Sequence, residues 1–224
     1  MSDGLRFFRE NLRDPRSTGS VWPSGGPLAR SLVEPAFRPR GGAPRTGLRL
    51  LEVGAGTGPA TRELVRRLRP GDALDIVELN PAFRQGLQRI AAAAPAGAAV
   101  RVYTGDILSF AAPSLYHHIV SGLPFANFPS TLVEAVYARF FDLLEAHGTL
   151  VMFQYVATRR IKRLLGPARR RHADAIVALE ARLDPWVVRR TLVMANVPPA
   201  RVIERRRPIG WGVGSPGGQG THSR

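Results

Sequence analysis

Leu48-Arg-Leu-Leu-Glu52-Val-Gly54-Ala55-Gly56-Thr-Gly58 reads as an apolar strand running into a turn with three glycines, and its reading decides the fold. Pro59 follows and suits the first turn of a helix, whose free N–H groups can receive an anionic group. After that helix, Asp75-Ile-Val-Glu78-Leu79-Asn80-Pro81 gives a second apolar strand that ends on an acid. Glycines allow the backbone to turn sharply and to approach a ligand closely, where a Cβ would block both. Glu78, at the carboxyl end of the second strand, can accept hydrogen bonds from both hydroxyls of a ribose. Strand, glycine turn, helix and acid-tipped strand together predict the front half of a nucleoside-binding α/β domain.

A glycine turn alone is weak evidence, because dinucleotide and methyl-donor sites share it. Here the spacing is Gly-x-Gly-x-Gly, not the Gly-x-Gly-x-x-Gly of pyrophosphate binders, and Glu52 lies within the first strand. A second acid, Asp106, follows a third strand in Val100-Arg-Val-Tyr-Thr-Gly105-Asp106-Ile107, a position where methyltransferases commonly place the acceptor for an adenine amino group. Glycine turn, ribose acid and adenine acid in this order resemble class I methyltransferases, with S-adenosylmethionine as cofactor. The expected donor contacts are Glu52, Gly54, Ala55, Gly56, Gly58, Glu78, Leu79, Gly105, Asp106, Ile107 and Ser121. The plainer alternative is a tight strand-to-helix connection beside two solvated acids.

The chain has 224 residues, suiting one α/β domain with a substantial core. It has no cysteine, which excludes disulfides and thiolate metal sites. No apolar run reaches the roughly 18 residues of a spanning helix, and Met1-Ser-Asp-Gly-Leu-Arg lacks the apolar core of a secretion signal. The expectation is a cytoplasmic protein, peripheral on the inner face of the membrane. A formal net charge of +15 draws the chain to polyanions, nucleic acid and anionic lipid alike.

Residues 3–14 pattern as a short amphipathic helix with Leu5, Phe8 and Leu12 on one face and arginines largely on the other. A loop containing Trp22 leads to a helix near 28–33, and a Pro/Gly/Arg-rich connection fills 34–47. Strands are expected near 48–53, 74–79, 99–103, 117–121 and 149–155, with helices near 60–68, 81–93 and 130–146. This alternation predicts a parallel sheet covered on both faces. A basic stretch over 159–172 and a helix near 173–183 follow. Val187 to Ala195 and Arg201 to Arg205 then flank Asn196-Val-Pro-Pro, predicting a closing antiparallel hairpin. Three parts result: a helical, membrane-associating and cofactor-covering segment over 1–47, the methyltransferase domain over 48–207, and a disordered tail over 208–224.

The fourth strand ends in His118-Ile-Val-Ser121-Gly122-Leu123-Pro124-Phe125-Ala-Asn127-Phe128-Pro129. In an open parallel sheet this loop lies beside the ligand crevice. Asn127 can orient an amine, and Phe125 or Phe128 can lie against the positive charge that grows as nitrogen takes a methyl group. Phe128 reads equally well as a core ring. His117 and His118 are adjacent on a strand, point to opposite faces and make no metal pair, so no metal is expected. The candidate catalytic residues are Asn127, Tyr155 and Ser121.

Ser121-Gly-Leu-Pro-Phe-x-Asn-Phe-Pro, with Phe8-Arg-Glu-Asn-Leu-Arg-Asp-Pro-Arg-Ser17, Ser20-Val-Trp-Pro-Ser24, Glu78-Leu-Asn-Pro-Ala-Phe83 and Asn196-Val-Pro-Pro-Ala-Arg201, resembles the bacterial phospholipid N-methyltransferases. The resemblance covers most of residues 7–205. It implies a class I fold with a closing hairpin, methylation of phosphatidylethanolamine and possible methylated intermediates, and anionic membrane lipids as partners. Phe8, Leu12 and Trp22 would then meet the membrane, Leu123, Pro124 and Phe125 the substrate, and Arg159, Arg160 and Arg163 the lipid phosphate. The competing readings are an adenine N6-methyltransferase acting on RNA or DNA, which the Leu-Pro-Phe loop and the charge also suit, and a non-catalytic donor- or polyanion-binding module. In the adenine enzymes an Asn or Asp is expected where this chain has Ser121.

Overall fold

The computed structural model describes residues 25–38, 47–156 and 167–209. The expected N-terminal amphipathic helix, Trp22, the basic residues Arg159, Arg160 and Arg163, and most of the tail lie outside them. Strand β1 (Arg49–Val53) is an interior strand, third in a seven-stranded sheet. Helix α1 (Gly26–Val33) precedes it, and helix α2 (Pro59–Arg67) leads to β2 (Ala73–Glu78). Helix α3 (Arg84–Ala91), β3 (Ala99–Thr104) and β4 (Tyr116–Ser121) follow. Helix α4 (Ser130–Leu143) runs directly into β5 (Leu144–Tyr155), and α5 (Pro167–Arg182) leads to β6 (Val187–Val193) and β7 (Ala200–Arg206).

The sheet order is β3-β2-β1-β4-β5-β7-β6. The first five strands pair in parallel, and β7 is antiparallel to both β5 and β6. The chain steps outward from β1 to β3, then returns to β1's other side at β4. That reversal opens a crevice at the carboxyl ends of β1 and β4.

Strand alternation divides the core in two. Leu51, Val53 and Ile119 face a cluster completed by Val133, Val136, Tyr137, Phe140 and Phe141 of α4. Leu50, Leu74, Ile76 and Val120 face the other, with Leu28 and Leu32 of α1 and Leu64 of α2. Each fully buried aliphatic or phenyl side chain contributes about 1.5–3 kcal/mol.

Helix α4 stops three residues short of the 146 expected from its pattern. Leu144 is already extended and pairs with Tyr116, and the ladder resumes only at His118 with Thr149. The four residues between, Glu145 to Gly148, form an irregularity in β5; the pattern overruns because Glu145 and Ala146 are good helix formers locally. Both adjacent histidines have structural partners. His117 Nδ1 accepts from the Arg49 N–H at 2.9 Å, while His118 Nδ1 meets Thr149 Oγ1 at 2.5 Å.

Candidate donor and acceptor site

The turn after β1 is built by backbone geometry that only glycine tolerates. Gly54, Gly56 and Gly58 all have positive φ, and a Cβ on Gly54 would lie 2.7 Å from Leu123 Cδ2. Gly56 differs, because no atom lies within 4 Å of where its Cβ would stand. Its open face is the cradle along which a ligand can run. Helix α2 starts beneath the turn, with Gly58 as N-cap and Pro59 in its first turn.

Glu78 ties this turn to the end of β2. Its Oε2 accepts from the Gly56 N–H at 2.8 Å and its Oε1 from the Asn80 N–H at 2.9 Å. A carboxylate has about four lone-pair sites, so capacity remains on both oxygens for a ribose diol. Burial raises the Glu78 pKa, and these backbone donors oppose the shift. The Gly105 N–H donates to the Glu78 carbonyl at 3.0 Å, bringing the loop after β3 alongside. In that loop Asp106 Oδ1 accepts from the Leu108 N–H at 3.0 Å, and its side chain is only partly buried.

Glu52 lies on the α2 side of β1 and is 2% exposed. Thr61 faces it, its hydroxyl and N–H favouring the carboxylate, while Oε2 is buried without a partner of good hydrogen-bond geometry among the described residues. Burial pushes the Glu52 carboxyl up to about 8, and the neighbouring Glu78 charge adds to the shift. Ala55, Leu123 and Ile107 are buried apolar members of the cores, and Leu79 is partly buried against the first of them.

The acceptor-side loop is locked to the donor turn. The Gly122 N–H donates to the Val53 carbonyl at 2.8 Å, and a Cβ on Gly122 would come within 2.4 Å of the Gly54 carbonyl oxygen. Ser121 is fully buried, and its Oγ accepts from the Leu123 N–H at 3.3 Å. Phe125 packs among Phe128, Tyr137 and Phe140, and both Phe125 and Phe128 are buried. Their rings therefore support the loop from beneath. Pro124 and Asn127 remain partly exposed, with the Asn127 N–H turned onto the Pro124 carbonyl. Tyr155 ends β5, edge-to-face with Phe153, and burial raises its phenol pKa. It can donate a hydrogen bond or offer its ring, but it makes a poor base.

Sequence reasoning missed a buried ion pair behind the acceptor loop. Arg205 of β7 is fully buried, pairs with Glu180 of α5, and reaches Tyr137 Oη at 3.4 Å and Met152 Sδ at 3.1 Å. In a chain so rich in surface arginine, only the alternation of β7 carries a signal for it.

A family model described as ribosomal RNA adenine dimethylase matches residues 42–190, taking in the donor turn, both acids and the acceptor loop. The chain belongs to this ribosomal RNA adenine dimethylase family. No curated protein matches it. Among solved structures, the magnesium protoporphyrin IX methyltransferase ChlM from Synechocystis PCC 6803, with bound S-adenosylmethionine, superposes with a TM-score of 0.56 at 13% identity, covering 93% of this chain and 99% of that one. The O-methyltransferase TomG from Streptomyces achromogenes gives a TM-score of 0.56 at 14% identity, covering 93% and 91%. TrmN from Thermus thermophilus gives 0.52 at 18%, covering 92% and 53%. Against three of the matched structures, TrmN included, the chain spans only 46% to 65% of the other's length. At these identities the likeness is one of fold, the class I methyltransferase sheet expected from the sequence.

For this member of the dimethylase family, the cofactor is S-adenosylmethionine. The site fits it. The open face of Gly56, the spare acceptor capacity of Glu78 and the partly exposed Asp106 are what a nucleoside requires. A methyl group bound to cationic sulfur is what the cofactor supplies.

Proposed function

We propose that this protein transfers methyl groups from S-adenosylmethionine to an amine nitrogen held against the loop from Ser121 to Phe128. The observation that carries the reading is the backbone lock between Gly122 and the donor turn, which sets the loop after β4 directly beside that turn. Asn127 orients the amine, and Tyr155 offers a ring or a hydrogen bond from the end of β5. Holding two reactants in line is worth several kcal/mol of barrier.

Family membership supports the exocyclic amine of an adenine in RNA as acceptor, and the charge of +15 suits a polyanion. That nitrogen is uncharged at neutral pH, so the site needs only to position it and to receive its proton after transfer. A second acceptor, the ethanolamine amine of a phospholipid, is favoured by one specific observation and by the sequence resemblance. At the first position of the loop the side chain is a serine, not an amide, and its Oγ is buried and already accepts from the Leu123 N–H. It offers a planar base no carboxamide to pair with. An alkyl amine titrates near 10, as lysine does, so this acceptor must first lose a proton on desolvation.

Purified protein incubated with labelled S-adenosylmethionine tests both, using phosphatidylethanolamine vesicles in one arm and undermethylated ribosomal RNA in the other. Label in the RNA alone establishes the adenine reading, and label in the lipid alone establishes the phospholipid reading. Label in neither, with donor binding intact, overturns both.

A further inference from the structure

The hairpin of β6 and β7 closes at the same edge of the sheet as the donor and acceptor loops. Tyr155, the last residue of β5, pairs with Ala200, which pairs in turn with Val193. The turn over 194–199 therefore projects beyond the carboxyl end of β5. Among the described residues seven large apolar side chains are exposed, and five of them belong to this hairpin or touch it. Met194 and Val197 at the turn are 66% and 72% exposed, and Leu192 is 53% exposed. Val156 lies beside them, its N–H donating to the Pro199 carbonyl at 3.0 Å, and Val188 is exposed further down β6.

This tip is held firmly. Asn196 is 3% exposed; its Oδ1 accepts from the Gly25 N–H at 3.0 Å and its Nδ2 donates to the Pro198 carbonyl at 2.7 Å. The polar side chain thus faces inward and secures the turn, while the apolar ones face out. The exposed Arg201 pairs in register with Leu192; Arg189 and Arg190 are exposed further down β6, Arg190 paired with Asp184 at 2.7 Å, and Arg206 lies at the opposite end of β7, in register with Thr149. The hairpin strands carry one acid, Glu204, buried and paired with Arg38.

We infer that the hairpin tip over 192–197, with Val156, is a membrane-docking surface that inserts its aliphatic side chains into an anionic bilayer. Aliphatic groups have no π face on which a nucleic-acid base can stack, so the tip does not suit RNA. Arginines along β6 disfavour strand-to-strand pairing with a second copy at that edge. An apolar point with Arg201 at its side and Arg189 behind it on the same hairpin combines burial in the acyl boundary with attraction to anionic headgroups. Its place beside the acceptor loop would bring a headgroup amine to Asn127, a use that rests on the phospholipid reading.

The test is sedimentation of the full chain with vesicles of phosphatidylethanolamine and phosphatidylglycerol, compared with neutral phosphatidylcholine vesicles, without turnover. The double variant Met194→Asp with Val197→Asp should bind the anionic vesicles at least tenfold more weakly. Donor affinity by calorimetry should be unchanged, and Met194→Leu should behave as wild type. Met194→Ser with Val197→Ser replaces the aspartates if they impair donor binding. Absence of wild-type binding to the anionic vesicles overturns the proposal, as does binding unchanged by the substitutions. It is also overturned if the substitutions weaken RNA binding or dissociate a dimer while vesicle binding stays intact. Tip-dependent vesicle binding without lipid methylation would sink the phospholipid reading and leave the surface standing.

Discussion

Replacing Glu78 is the sharpest probe of the donor site, because its two oxygens do separate work. Oε2 holds the Gly56 N–H and Oε1 the Asn80 N–H. In Glu78→Gln one oxygen becomes an NH2 group, so one of these backbone donors must face another donor. The variant loses the negative charge, one backbone bond and part of the acceptor capacity for a ribose diol. Glu78→Ala loses all of it. A hydrogen bond to a charged group contributes about 1.5–3 kcal/mol. At about 1.4 kcal/mol per decade, donor affinity should fall about tenfold to 150-fold in the alanine variant. The glutamine variant should fall by at least the lower figure, because a misdirected NH2 group also disturbs the turn at Gly56. Titration calorimetry with S-adenosylmethionine measures this directly, and circular dichroism checks that each variant is folded. Unchanged affinity in a folded Glu78→Ala protein would refute the assignment.

Three further outcomes follow from the same geometry. Asn127→Ala should lower kcat at least tenfold while leaving donor affinity intact; equal loss of donor binding in calorimetry would remove its acceptor role. Glu52, pushed up to about 8, holds a proton in the folded state that it releases near 4.5 when unfolded. Its contribution is therefore fully present below about pH 4.5 and is lost as pH rises through about 8. Glu52→Gln should flatten the fall in denaturation midpoint between pH 5 and 8, and an unaltered slope would count against the buried acid. Arg205→Met leaves Glu180 buried without its charge partner, accepting only from the Tyr137 hydroxyl at 2.6 Å, and should cost about 3–5 kcal/mol. Adding Glu180→Leu should restore much of that, as read from urea denaturation midpoints.

The donor half was legible because its chemistry is local. A glycine turn, a proline and an acid at a strand end declare themselves within 31 residues, Leu48 to Glu78, and the structure joins them through one carboxylate. The hairpin was legible from its proline-rich turn. The end of α4 was not, since Glu145 and Ala146 favour helix locally and only pairing of Leu144 with Tyr116 overrides them. Nor were the roles of Phe125 and Ser121. Aromatic and hydroxyl residues beside a crevice suit a ligand or a core equally, and the choice depends on Tyr137 and Phe140 arriving from α4. Arg205 depended on contacts 25 and 68 residues distant in sequence.

The interlock of Gly122 with Gly54 sets the rules for re-engineering this protein. Because the two loops meet backbone to backbone, residues through Leu123 are mechanically part of the glycine turn, and in the proposed function they would serve the donor whatever acceptor is used. A transplanted specificity loop should therefore be spliced in at Pro124 and leave Gly122 and Leu123 native. A chimera joined two residues earlier should lose donor affinity, because any side chain at position 122 would meet the Gly54 carbonyl.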